Sequence, residues 1–384
     1  MKTQKILILG ITGNLAKLKI LPAIGQYFDL HNQEINIEII GYSRSKANLE
    51  EIQSLIRSQI NSIKNENQLP KITLIQGEYG DNTFYDGLVG SLTLDDSLTI
   101  YLAVPPSVYI NFLENSCPYS KYPIDILIEK PFGESLEEGR HILEIVAKCD
   151  LHQRVHFLDH YLFKSALQVD NNEIIKELNQ SNLNADNISM ISITANETID
   201  VKERGGYYDN NGAIKDMFPH LYSIYHMMAS LINHGKPINI QWYVNSLEKK
   251  QYDGYKSDVQ KPNSITESYF FVNFHDSIDD NWNKQLILTS GKKQANKLTD
   301  IYISFKTGYF LNFEIAPNPS LVLKKANDII KEFKINIDDK LDHTRVFENV
   351  LAGDFSRFVP NDKVLEYWEV YQKIADASNN TILK

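Results

Sequence analysis

Cysteine is nearly missing: Cys117 and Cys149 are the only two in 384 residues. Neither belongs to a CxxC or Cys/His pattern, so the spacing points to no disulfide framework and no zinc site, and no metal is expected. Cysteine poverty of this kind fits a reducing, cytoplasmic setting. An excess of positive charge is also lacking. Asp and Glu number 49 against 39 Lys and Arg, for a net charge of −10. Nucleic acid and anionic membranes are held by clustered cations, so neither is expected as a partner. No apolar run is long enough to cross a bilayer. The opening MKTQKILILGI places lysines before an apolar stretch, but that stretch is short and no small-residue cleavage site follows it. Internal repeats and low-complexity segments are absent as well.

What is present is a hydrophobic content of 42% with 23% charged residues. That balance describes a globular chain with ample core, and its length predicts two domains rather than one. The first third alternates strand-like and helix-like segments: KILILG, then NLAKLKILPAIGQYFDL with Leu15, Leu18, Leu21 and Ile24 at helical spacing, then INIEIIGYS, LEEIQSLIRSQINSI, ITLIQG, LTIYLAVPP and IDILIEKP. This alternation predicts βαβ units and a parallel sheet, with a kink at Pro22. From about Ser181 the pattern becomes apolar–polar alternation, in NISMISITANETI, ESYFFVNF, KQLILTSG, DIYISFK and YFLNFEIAP. Such segments predict an open, mainly antiparallel sheet with one solvated face. Two helices accompany it, GAIKDMFPHLYSIYHMMASLI and the closing VLEYWEVYQKIADA. The expected architecture is α/β plus α+β: a Rossmann-type domain over 1–150 and a second domain over 151–384, with a helix or two crossing back.

The first strand runs into Gly10-x-x-Gly13-x-x-Ala16 and a helix. Glycines there let a backbone approach a pyrophosphate, and the helix N-terminus offers free N–H groups. The cofactor set read from this turn is Gly10, Thr12, Gly13, Asn14 and Leu15; an ordinary βα turn is the competing reading. The second strand ends in GYSRS. A carboxylate at that place would bind the ribose hydroxyls of NAD, whereas Arg44, flanked by Ser43, suits the 2′-phosphate of NADP. NADP is therefore favoured and NAD remains open. A third strand ends in EKPFG, which sets Lys130 beside Pro131 where ligands of α/β sheets bind. There the ammonium can reach both substrate and nicotinamide and polarise a reacting hydroxyl.

Several blocks, in order, resemble the glucose-6-phosphate dehydrogenase family: GITGNLAKLKILPAI, GYSRS, YLAVPPSVY, IEKPFG, DHYLFK, RGGYYDNNGAIKDM, SGKK, FEIAPNPSLVLK and GDFSRFVPNDKVLEYWEVY. The resemblance spans nearly the whole chain. It implies that His160, Tyr161 and Lys164 grip a sugar phosphate, that Asp159 orients a catalytic His220, and that Glu197, Asp216, Lys292 and Lys19 bind the substrate. His220 would take the C1 hydroxyl proton of glucose 6-phosphate as hydride leaves for NADP, giving 6-phosphogluconolactone. A homodimer through the open sheet is also implied. RGGYYD reads as a glycine-rich bend rather than as chemistry. Departures accompany the match. Phe157, Phe163 and Ser165 stand where the family has arginine, glycine and glutamate. One residue fewer separates Asp216 from His220, and a helix break at Pro219 would restore the aim of the imidazole. The shorter spacing, and Glu-Lys-Pro itself, are shared with the Gfo/Idh/MocA oxidoreductases, so another sugar phosphate or ring carbon is the first alternative. A catalytically degenerate binding subunit is the second.

Overall fold

A computed structural model describes residues 3–31, 36–61, 69–90, 92, 97–234, 240–276, 284–379 and 381–383. The chain divides into two compact units, 1–163 with 339–368, and 164–338 with 369–384.

In the first unit the order is β1 (Thr3–Leu9), α1 (Leu21–His31), β2 (Asn36–Ser43), α2 (Leu49–Arg57), β3 (Lys71–Gln76), α3 (Asn82–Gly90), β4 (Ser97–Leu102), α4 (Tyr109–Ser116), β5 (Ile124–Glu129), α5 (Leu136–Lys148) and β6 (Val155–Leu158). The six strands form one parallel sheet in the order β3-β2-β1-β4-β5-β6. Ile6 to Leu9 of β1 and Ile126 to Ile128 of β5 are fully buried. Central strands covered on both faces read as continuous apolar runs, which is why KILIL and IDILI stood out in the sequence. The expected boundary at 150 falls short of this sheet. β6 is its edge strand, held against β5 from Ile126↔Val155 to Glu129↔Leu158, so the first unit continues to Phe163.

The second unit holds α6 (Asn171–Gln180), β7 (Ile188–Asn196), α7 (Gly205–Ile232), β8 (Tyr243–Lys250), α8 (Tyr255–Asp258), β9 (Tyr269–His275), β10 (Gln285–Gly291), β11 (Leu298–Phe305), β12 (Tyr309–Ala316), β13 (Ser320–Lys325) and β14 (Asp328–Phe333). Its strands pair in the order β14-β13-β12-β11-β7-β10-β9-β8. Among them β7 and β10 run parallel, and the other pairs are antiparallel. Buried and half-buried residues alternate along β9 to β12, the two-sided pattern the sequence predicted. The chain then returns to the first unit with α9 (Asp342–Ala352) and the start of α10 (Asn361–Asn379). Trp368 of α10 donates its indole N–H to the Phe132 carbonyl at 3.0 Å.

The cysteine reading needs correction. Cys117 and Cys149 are joined as a disulfide, with Cα atoms 4.7 Å apart. Spacing rules detect local motifs, whereas these residues lie 32 positions apart. Cys117 follows α4 and Cys149 caps α5, and the two helix ends lie together. Cysteine usage therefore no longer argues for a reducing compartment. Among the described residues, no helix is long and apolar enough to span a membrane.

Candidate active site

After β1 the chain turns at Gly10, where φ is +83°. A Cβ at this position would lie 2.3 Å from the Ala103 carbonyl oxygen, so close backbone approach as well as dihedral demands glycine. The Gly13 N–H donates to Gly10 O at 2.8 Å and the Lys17 N–H to Gly13 O at 3.0 Å, winding the turn into the helix. That helix begins with a turn of π-helix, Ala16–Ile20. Such turns are rare and collect at functional sites. This one leaves Lys19 exposed, while Lys17 pairs with Glu51 at 2.7 Å. α1 continues directly from this π turn at Leu21, whose N–H bonds back to Ala16 O, so Pro22 lies inside a continuous helical stretch just where the hydrogen-bond pattern shifts.

At the end of β2 the Ser43 side chain is buried and donates to Ser45 O at 2.8 Å. The Ser45 and Thr12 hydroxyls meet at 3.0 Å, joining the two strand ends into one polar rim. Arg44 is exposed, with its guanidinium 5.4 Å from the centre of the Tyr79 ring. Asn14 is exposed and Leu15 half-buried at the helix start. A glycine cradle that a Cβ would fill, with an arginine at the end of the second strand, fits a dinucleotide bearing a 2′-phosphate.

β5 and β6 supply the rest of this unit's set. Glu129 and Leu158 are their last paired residues, so the next residues, Lys130 and Asp159, emerge side by side. The Lys130–Pro131 bond is cis, and Gly133, at φ +94°, returns its N–H to Pro131 O at 2.9 Å. The Asp159 side chain is fully buried and its Oδ1 accepts the Tyr161 N–H at 2.9 Å. That bond winds the 3₁₀ turn His160–Phe163 and presents His160 and Tyr161, both half-buried. Phe157 and Phe163 are core residues: Phe157 packs edge-on against Phe132, and Phe163 against Phe358.

In the second unit the parallel pair does the same work. Asn196 and Gly291 are the last partners of β7 and β10, and the residues that follow, Glu197 and Lys292, form an ion pair. Lys292 Nζ also lies 5.6 Å from the centre of the Tyr208 ring. Tyr208 is 3% exposed, and its hydroxyl has no hydrogen-bond partner among the described residues. Burial pushes this phenol well above its usual pKa, and the charges of Asp216 and Glu267 push the same way.

α7 consists of two helices joined at Gly212, whose φ of 70° and ψ of 174° are not helical. Ala213 N–H donates to Glu267 O and Ile214 N–H to Glu267 Oε1, each at 3.0 Å, so Glu267 caps the second helix. Burial raises the Glu267 carboxyl pKa, against the lowering effect of that N–H. Two expectations are corrected here. Gly205 and Gly206 lie within the first helix, so the bend is at Gly212 rather than in RGGYYD. The helix also continues through Pro219 without a break. Asp216 and His220, four residues apart, therefore share one face, whereas five would separate them by roughly 140°. His220 is 2% exposed. His226 packs between Tyr222 and Tyr225, with ring centroids 4.6 and 4.9 Å away, as a structural histidine would. Lys164 is half-buried at the unit's first turn, where its carbonyl accepts the Leu167 N–H at 2.9 Å.

Sequence reasoning missed Tyr208 and Glu267. Tyr208 stood inside a motif read as a bend. Glu267 is separated from the helix it caps by 53 residues, and no local signal links them.

A dinucleotide turn on an all-parallel sheet, joined in one chain to paired acidic and basic groups suited to hydroxyls, defines a nicotinamide-dependent sugar oxidoreductase. The profile described as "Glucose-6-phosphate dehydrogenase, NAD binding domain" matches residues 7–169, and "Glucose-6-phosphate dehydrogenase, C-terminal domain" matches 171–231. The cytoplasmic glucose-6-phosphate 1-dehydrogenase 6 of Arabidopsis thaliana is 25% identical over 95% of this chain and 84% of its own length. A crystal structure of glucose-6-phosphate 1-dehydrogenase from Mycobacterium avium superposes with a TM-score of 0.79 at 20% identity, covering 100% of this chain and 94% of that one. A glucose-6-phosphate dehydrogenase in complex with glucose 6-phosphate gives 0.75 at 21% identity, over 96% and 90% of the two chains. The chain belongs to the glucose-6-phosphate dehydrogenase family and is an NADP-dependent sugar-phosphate dehydrogenase.

Proposed function

We propose that the protein oxidises glucose 6-phosphate at C1, with 6-phosphogluconolactone as product. NADP, when bound, accepts the hydride. His220 takes the proton of the C1 hydroxyl, and Asp159 orients and stabilises that imidazole as it becomes charged. Lys130 polarises the same hydroxyl. His160, Tyr161 and Lys164 hold the phosphate ester, an imidazole, a phenol and an ammonium that all suit anionic oxygens. Glu197, Lys292 and Asp216 take the ring hydroxyls, and Lys19 lends further positive charge. Gly10, Thr12, Gly13, Asn14 and Leu15 receive the pyrophosphate, while Arg44 takes the 2′-phosphate; Ser43, expected beside it, is buried and bonded to Ser45 O, so it shapes the turn that carries Arg44.

The Glu197–Lys292 pair carries this reading. A half-buried acceptor and a donor of opposite charge match the vicinal hydroxyls of a sugar, and sites built this way reject analogues lacking them. The test is a cofactor-reduction screen across hexose phosphates with NADP and NAD. The expected result is fastest reduction with glucose 6-phosphate and NADP, and a product that hydrolyses to an acid. A keto sugar would move the chemistry to another ring carbon. Absence of turnover with every hexose phosphate would favour a binding subunit.

Half-buried Phe271, Ile287, Thr289 and Tyr302 lie on strands of the large sheet whose neighbouring positions are fully buried. That amphipathic surface supports the homodimer implied by the resemblance, which light scattering would detect as twice the 44.1 kDa chain mass. The cytoplasmic names of the plant relatives support a cytoplasmic location.

A further inference from the structure

His343 belongs to none of the roles above, yet it lies against one group that carries them, His160, and against Glu129, the residue before another, Lys130. It sits in the first turn of α9 and is 2% exposed. Its Nε2 is 3.3 Å from Glu129 Oε1, and both side chains are buried. The same carboxylate oxygen accepts the Tyr101 hydroxyl at 2.6 Å, and the Tyr109 hydroxyl donates to the Glu129 carbonyl at 3.3 Å. With its proton on Nε2, His343 donates to that carboxylate oxygen. On its other side the imidazole stacks on His160, with centroids 5.4 Å apart and planes inclined by 28°.

The position of His343 is itself held. Gln26 of α1 accepts the Leu341 N–H at 2.8 Å and the Thr344 hydroxyl at 2.7 Å, and donates to Asp339 O at 3.1 Å. The start of α9 is thus tied to α1 on either side of the histidine. A buried ring fixed in this way bears on two turns at once: the one after β5, through the residue preceding Lys130, and the one after β6, through His160 itself.

We propose that His343 is a positioning residue for the sugar-phosphate site, holding the Lys130 turn through its hydrogen bond to Glu129 and the His160 ring through its stacking face. This rests on the functional reading above, in which Lys130 acts on the reacting hydroxyl and His160 on the phosphate. The two contacts then carry different kinetic signatures. Loosening Lys130 weakens an interaction that strengthens in the transition state and lowers kcat. Loosening His160 weakens binding felt equally by ground and transition states and raises KM.

Two variants separate the contacts. His343→Phe keeps a stacking ring and deletes the donor; kcat is expected to fall about tenfold with KM for glucose 6-phosphate within about twofold of wild type. His343→Gln keeps an N–H for Glu129 and deletes the ring; KM is expected to rise about tenfold with kcat nearly unchanged. Both are assayed as full-length protein, with Tm measured alongside. Parallel losses in kcat and KM that follow a fall in Tm would reduce His343 to a structural residue and overturn the proposal. So would two variants indistinguishable from wild type. If the wild type itself fails to oxidise glucose 6-phosphate, the functional reading fails instead, and the rise in Tm with added inorganic phosphate still tests His343. His343→Gln should diminish that rise and His343→Phe preserve it; the same rise in both would overturn the proposal.

Discussion

Each unit sets candidate site side chains just past the last paired residues of two parallel neighbours. In the first, Lys130 and Asp159 follow Glu129 and Leu158 of β5 and β6. In the second, Glu197 and Lys292 follow Asn196 and Gly291 of β7 and β10. The sheets otherwise differ, because the first is parallel throughout and the second is mostly antiparallel. Antiparallel neighbours end at opposite edges, so only a parallel pair brings two carboxyl ends, and the residues after them, side by side. The mixed sheet of the second unit is therefore not an irregular version of a meander. Its parallel pair is what brings Glu197 and Lys292 together.

A second difference lies in how the groups are supported. The first unit builds its nucleotide end from backbone, a positive-φ glycine against the Ala103 carbonyl. The second relies on buried side chains drawn from distant elements: Glu267 on the start of a helix, and Asp209 held by Ser264, Tyr255 and Lys261. Side-chain support of this kind titrates, and backbone support does not.

The largest test of the comparison removes the proposed base from the second unit. His220→Ala should lower kcat by about 10²- to 10⁴-fold while glucose 6-phosphate still raises Tm. Near-normal turnover would place the base elsewhere. The next test contrasts the units. Arg44→Ala should raise KM for NADP by about tenfold or more with little change for NAD, and Lys292→Met should raise KM for glucose 6-phosphate to a similar degree. If each variant altered both constants alike, the division of labour between units would fail.

The smallest effects are on stability and its pH dependence. Burial pushes the Asp209 pKa upward, but hydrogen bonds from Ser264, Lys261 and Tyr255 together win, and the net shift is downward. Its stabilising contribution is therefore present above the ordinary value of 3.8 and lost as pH falls through the lowered one. Asp209→Asn should cost about 1–2 kcal/mol at neutral pH, with the gap to wild type closing in acid. Glu267 has the opposite sign. Its pKa is raised, so ionisation costs stability as pH climbs past 4.5. Glu267→Gln, which keeps a carbonyl for the Ile214 N–H, should be neutral or stabilising by up to about 1 kcal/mol at neutral pH. Denaturant titrations across pH would check both signs.

The first unit was the more legible in sequence. Gly10, Arg44 and Lys130 sit at strand ends, and buried parallel strands announce themselves as runs such as KILIL and IDILI. β6 was missed because VHFL is short and its turn was read as chemistry rather than as a strand end. In the second unit, Lys292 and Glu197 were found through the resemblance alone, since 95 residues separate them and no local pattern couples them. The bend in α7 was assigned to a glycine pair in RGGYYD. Gly206 has open space around an added Cβ, whereas a Cβ on Gly212 would meet the Glu267 carboxylate at 2.4 Å, a contact invisible without the fold.

The sequence by itself determined the periodicities, the parallel and alternating strands, the glycine turn and the strand-end lysine, because each depends on residues a few positions apart. Only the tertiary structure decided that β6 is the edge of the first sheet, that two cysteines 32 residues apart are bonded, and that α7 bends at Gly212 and stays helical through Pro219. It alone placed His343 between Glu129 and His160. The physical reason is common to all four: each is settled by what a side chain or backbone meets across space, and the free energy of such contacts depends on the register and packing of elements far apart in the chain.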